Sequence, residues 1–138
     1  SKCLNMRSVI RSSLVVILAV ILITTIFSPP NAKKFLANLS VPAGALGISP
    51  ISMTAADGPM PEIALRSFTI RSTIPELRAF YSNQCQSAKL PQPSKKELLT
   101  EPEMLCTGKT RGGSVSVYLY PTCVNSLCTV HLEVQVLF

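Results

Sequence analysis

GSVSVYLYPTCVNSLCTVHLEVQVLF, residues 113 to 138, alternates apolar and polar side chains on both sides of Cys123 and Cys128. That period of two belongs to strands with one buried face. Suppose the two cysteines face each other across an antiparallel hairpin. Leu119 then stands opposite Leu132, Val117 opposite Val134, and Val115 opposite Val136, all of them apolar. The other face pairs Tyr120 with His131, Tyr118 with Glu133, and Ser116 with Gln135, all able to meet water. A slip by one residue would exchange the faces of one strand, so this register and a Cys123–Cys128 disulfide support one another.

A disulfide needs an oxidising compartment, and the other end of the chain bears on that. Ser12 to Ser28 carries no charge and is continuously apolar from Leu14 to Phe27. A spanning helix needs about 20 residues, with roughly 17 the lower end, whereas a shorter core suits a cleaved signal peptide. Peptidase cleavage requires small residues at the last and third-last positions. Ending at Ala32 puts Pro30 at the third-last place, ending at Ala37 puts Phe35 there, and the better Val-Pro-Ala ending at Ala43 lies far from the apolar core. Residues 12–28 therefore read as a retained signal anchor embedded in a lipid bilayer, with a cleaved, secreted form as the rival. Lys2, Arg7 and Arg11 precede the span and outnumber Lys33 and Lys34 just after it, so residues 1–11 are expected in the cytoplasm and everything beyond the span outside it. Cys85, Cys106, Cys123 and Cys128 then face oxidising surroundings, and Cys3 stays reduced.

Pro29 and Pro30 end the anchor. NAKKFLANL, 31 to 39, reads either as a short interfacial helix or turn with Phe35, Leu36 and Leu39 toward lipid and Lys33 and Lys34 near the headgroups, or as an ordinary polar exit from the membrane. Asn38-Leu39-Ser40 also matches a glycosylation sequon, a pattern common by chance. Residues 29–61 as a whole form a Pro- and Gly-rich arm, too irregular for a strand or helix yet too apolar for a solvated linker. Val41, Leu46, Ile48, Ile51 and Met53 each lose stabilisation if left in water. The arm is expected to run extended along a partner subunit or the bilayer, these residues making the contact. Its rival course folds back over its own domain, since small domains need extra cover.

The compact domain is expected from 62 to 138. Residues 63 to 72 read as a strand with Phe68 and Ile70 inward. Thr73-Ile74-Pro75-Glu76 fits a capping box, and Leu77, Phe80, Tyr81, Gln84, Cys85 and Ala88 follow at helical spacing. Residues 91 to 103 make a proline-bounded loop with one turn near Lys95 to Leu99. MLCTG, 104 to 108, is a short strand, and KTRGG turns into the hairpin. The expected fold is α+β: one N-terminal transmembrane helix, then a disulfide-stapled β-α-β-β-β domain with a mainly antiparallel sheet and one covering helix. Among the three pairings of the outer cysteines, 85 with 106 and 123 with 128 is preferred, because the hairpin takes the second pair and the first ties helix to sheet. Zinc is disfavoured, for Cys85 and Cys106 form no knuckle.

Net charge is +6, from 13 Lys and Arg against 7 acids. Beyond Ala32 the cations are dispersed, so no nucleic-acid-binding face is expected. His131, Glu133, Tyr118 and Tyr120 form the one cluster resembling an acid–base site, with no nucleophile, oxyanion loop or second base to complete it. We expect no enzyme, no metal, no cofactor and no small-molecule substrate. Tyr118 and Tyr120 suit a protein contact instead. The run LVVILAVILI resembles the hydrophobic helix of type IV pilin-like proteins, which also carry disulfide-stapled antiparallel sheets. It departs from them in lacking a preceding glycine processing site and an early glutamate. The expected function is thus a non-enzymatic accessory or structural subunit of a multi-subunit membrane or envelope complex, bound to its fellow subunits outside the membrane.

Overall fold

The computed structural model describes residues 31–54, 61–110 and 112–137. The expected tail 1–11 and anchor 12–28 lie outside the described residues. Within them, no helix is long and apolar enough to cross a membrane.

Five strands form one antiparallel sheet in the order β1-β2-β5-β4-β3. They are β1 (Ser52–Thr54), β2 (Glu62–Arg71), β3 (Met104–Thr110), β4 (Gly113–Val124) and β5 (Leu127–Leu137). The central hairpin takes the register that its alternation demands: Leu119 with Leu132, Val117 with Val134, Val115 with Val136 and Cys123 with Cys128. One face of it is wholly buried from Val115 to Leu119 and from Cys128 to Val136. Its two-residue turn holds Asn125 at φ 52° and Ser126 at φ 64°, the paired positive values that follow the twist of the strands. Against β5 lies β2, with Ala64, Phe68 and Ile70 buried opposite Val134, Val130 and Cys128.

Helix α1 (Ala32–Asn38) and helix α2 (Ile74–Ser87) cover that same buried face. Thr73 starts α2, its hydroxyl accepting the Glu76 amide at 3.3 Å, with proline in the first turn where no donor is needed. The reciprocal half of the capping box is not made. Glu76 accepts a hydrogen bond from the Ser72 hydroxyl at 3.0 Å instead. Leu77, Tyr81 and Cys85, each one turn apart, are buried, and the Cys85–Cys106 disulfide ties the helix to β3. Beyond α2 the chain flanks β3. The Thr107 amide donates to Pro91 O at 3.1 Å, and a Cβ on Gly108 would lie 2.6 Å from Leu90 Cδ2, so any other residue there would displace the Leu90 side chain. Helix α3 (Lys95–Thr100) follows, capped by Ser94.

The arm lies on its own domain. Leu36, expected toward lipid, is fully buried in the core with Ala32 and Leu39, and α1 packs on β2 and β5. The Ala32 amide donates to Glu62 Oε1 at 2.9 Å, and the Ser40 amide to Gln84 Oε1 at 2.8 Å, fastening α1 to both β2 and α2. Farther on, Leu46 exchanges backbone hydrogen bonds of 2.8 Å with Thr69, the Ser49 amide donates to Ser67 O at 2.9 Å, and β1 pairs with Ala64 and its neighbours. The physical reason is the edge of β2, whose unpaired amides and carbonyls would otherwise stand open. The compact unit thus includes residues 31–54, and β1, α1 and α3 add to the expected strand–helix–strand–strand–strand order.

Candidate functional site

The two helices cover one face of the sheet, and the other face carries the tyrosines of β4. Tyr118 and Tyr120 stack there, ring centroids 6.3 Å apart and 12° from parallel. Tyr118 donates to Glu101 Oε2 at 3.0 Å and is only 5% exposed, while Tyr120 donates to Glu133 Oε2 at 3.2 Å and is 39% exposed. The Gln135 side chain donates from Nε2 to the same Glu133 oxygen at 3.2 Å. Burial, reinforced by the hydrogen bond and negative charge of Glu101, pushes the Tyr118 phenol up to about 12. Burial and then the charge of Glu133 push Tyr120 up to about 12. Both phenols are therefore donors at neutral pH, not bases.

His131 pairs with Tyr120 across the strands and is exposed, yet its ring makes no hydrogen bond among the described residues. Glu133 is held by Tyr120 and Gln135 rather than by the histidine. The cluster singled out in the sequence is thus brought together as a polar, aromatic surface. Among the described residues no group of three His, Cys, Asp or Glu is placed to hold a metal ion. The four outer cysteines form the bonds 85–106 and 123–128.

Toward the tip of the hairpin the surface turns apolar. Val124 is 66% exposed and Leu127, its cross-strand partner, 49% exposed. Leu127 in turn pairs with Arg71 on β2, and Leu46, 72% exposed, bridges the neighbouring Thr69. These three apolar side chains share the face opposite the helices, because paired residues project to one side of a sheet. A cleft of about 340 Å³ opens between Leu46, Gly44 and Leu127. Ile48 and Met53 are exposed as well, Met53 pairing with Ala64 and so projecting to the helix side of the sheet. Of the remaining arm residues singled out in the sequence, Val41 and Ile51 are half-buried and pack on the core.

Sequence reasoning passed over Val124 and Leu127. Their signal was present: each falls in phase with the polar side of its strand, where an apolar residue is left in water. Arg66 was missed as well. It stands in phase with Ala64 and Phe68, facing the helices, and donates from Nε to Ser49 O at 3.3 Å, pinning the arm from below. Tyr81, wholly buried nearby, has a hydroxyl without a hydrogen-bond partner. Burial raises its pKa well above the ordinary phenol value, with the Arg66 charge opposing.

The described residues define a class: a small, disulfide-stapled α+β domain in which α1 and α2 cover one face of an antiparallel sheet and the hairpin tip stays apolar and bare. No family model, curated protein or solved structure matches the chain.

Proposed function

We propose that this protein is a non-enzymatic accessory subunit of a larger membrane or envelope assembly, anchored through residues 12–28 and binding a fellow subunit through the hairpin end of the sheet face opposite the helices. The observation that carries the reading is the apolar surface of Leu46, Val124 and Leu127, three large side chains left in water at positions outside the core, where polar residues would cost the fold nothing. The stacked Tyr120, on the same face beyond the Thr122–Thr129 pair, adds a rigid amphipathic contact of the kind enriched at interfaces.

The test isolates the full chain from its native membrane in mild detergent, beside a Leu46→Asp/Leu127→Asp variant. A partner that accompanies the parent chain and is lost from the variant, with the thermal midpoint unchanged, supports the assignment. Leu99, 86% exposed on α3, supplies the control, since Leu99→Asp should retain the partner. A parent chain that runs alone as a monomer removes the basis of the reading.

A cleaved, secreted binding module or inhibitor is the second reading, and one observation favours it. Asn31 caps α1 with its side chain, accepting from the Lys33 and Lys34 amides, so the helix carries its own start signal directly after the apolar segment and its proline pair. N-terminal sequencing of the mature protein separates the two.

A further inference from the structure

Leu46 and Thr69 exchange two backbone hydrogen bonds of 2.8 Å, so the amide and carbonyl of Thr69 point outward from the edge of β2. Arg71, two residues on, presents its own amide and carbonyl to the same edge, because their direction repeats at every second residue of an antiparallel strand. Continued past Leu46, the arm would set Gly44 beside Arg71. Instead the chain turns at Gly44, with φ 88°, and no backbone group of the arm pairs with Arg71 among the described residues. An opening one residue pair long is left at this end of the edge. It adjoins the cleft between Leu46 and Leu127, which Arg71 also lines. Arg71 pairs with Leu127 and lies in phase with Thr69, the partner of Leu46, so all three side chains share the sheet face away from the helices. All three are exposed, and no acidic residue lines the cleft. Glu76, the described carboxylate closest to Arg71 in sequence, is engaged by the Ser72 hydroxyl at 3.0 Å. An apolar hollow is thus combined with a cation and with backbone groups open to a further strand.

We propose that this end of β2 takes an extended acidic segment of the partner protein. The backbone of the segment meets the open groups of Arg71, a large apolar side chain enters between Leu46 and Leu127, and a carboxylate on the same side of the segment reaches the Arg71 guanidinium. The inference rests on the partner-binding reading above and gives that partner its chemistry. Backbone pairing at a sheet edge supplies affinity whatever the sequence, whereas the hollow and the cation select what is bound. Charge decides the occupant: a carboxylate gains a charge-assisted, two-pronged hydrogen bond from an arginine, and a basic segment is repelled. The same rule disfavours a second copy of this chain meeting it tip to tip, since a two-fold contact of this patch with itself would bring two Arg71 cations together.

The isotope-labelled full chain is titrated in detergent micelles with the peptide acetyl-Thr-Leu-Thr-Glu-Thr-amide, in which leucine and glutamate face one side of a strand, and the amide shifts are followed by NMR. Two counterparts carry Gln for Glu or Ser for Leu. Shifts should centre on Leu46, Arg71 and Leu127, and the parent peptide should bind about tenfold more tightly than either counterpart, the step expected of one charge-assisted pair or one buried apolar side chain. Arg71→Glu should reverse the preference in favour of a peptide with Lys for Glu. Equal affinities for the Glu and Gln peptides, shifts that centre elsewhere, or no shift at millimolar peptide each overturn the proposal. In the isolation from native membrane, a partner retained by Arg71→Glu but lost from Leu46→Asp/Leu127→Asp overturns the acidic contact and leaves the subunit reading standing. A parent chain that comes without a partner overturns that reading, and this proposal with it.

Discussion

Ser126 shows how much one residue in the hairpin turn determines. Its φ of 64° beside Asn125 at 52° gives the turn its hand, but an L residue in that region is disfavoured by roughly 1–2 kcal/mol, less for asparagine than for serine. The Ser126 carbonyl accepts the Ser72 amide at 3.0 Å, an interaction of backbone alone that any side chain would keep. Ser126→Gly is therefore expected to stabilise the domain by about 1 kcal/mol in urea unfolding. A loss of stability would show that the turn is not the one described. The tyrosines make a second prediction. The chain has three, and all are raised from the ordinary value near 10: Tyr81 chiefly by burial, Tyr118 and Tyr120 to about 12. A phenol whose pKa is higher in the folded state contributes stability in full below the unfolded value, and that contribution fades as pH rises from 10 through about 12. Phenolate absorbance should stay near zero at pH 10 in the folded protein and appear only as the domain opens. Half-ionisation of even one tyrosine at pH 10 would contradict the packing around it.

At the scale of elements, the two disulfides do different work. Cys85 and Cys106 are 21 residues apart and tie α2 to β3, whereas Cys123 and Cys128, 5 apart, lock a hairpin that its own register already specifies. Chain-entropy reasoning makes the longer loop worth about 1 kcal/mol more. Cys85→Ala/Cys106→Ala should thus lower unfolding stability more than Cys123→Ala/Cys128→Ala, and the reverse order would mean that the hairpin is not preformed without its staple. The hairpin register and the cysteine pairing were legible because alternation, turn and cysteine positions all agree on one alignment. The start of α2 was legible for the same reason, since Thr73 and Pro75 carry local instructions. Its capping box was half right: the partner of Glu76 was decided by Ser72, a competitor that the motif does not weigh.

For the whole molecule, the test is whether residues 31–54 belong to the fold. Leu36 has no exposed surface and joins the core formed by β2, β5 and α2. Leu36→Ala should lower stability by about 2–5 kcal/mol, the range for a buried leucine that leaves a cavity. An effect under about 0.5 kcal/mol, usual for surface sites, would return α1 to the role of a linker or lipid contact. The candidate surface was legible only in part. Leu46, Ile48 and Met53 were singled out as apolar residues in a segment without regular structure, and they are exposed. Val41 and Ile51, chosen on the same ground, were taken by the core, because composition cannot say which side of an irregular strand faces inward.

What the sequence determined by itself is whatever a short period or local chemistry encodes: the β4–β5 alignment, the inward face of β2, the start of α2 and the cysteine partners. The tertiary structure alone decided that the arm closes the edge of β2, that α1 buries Leu36, and that Leu46 and Leu127 line one cleft near the hairpin tip. Those contacts join residues far apart in the chain. Their energy comes from covering open backbone groups and apolar area, which no single segment displays until the sheet has formed.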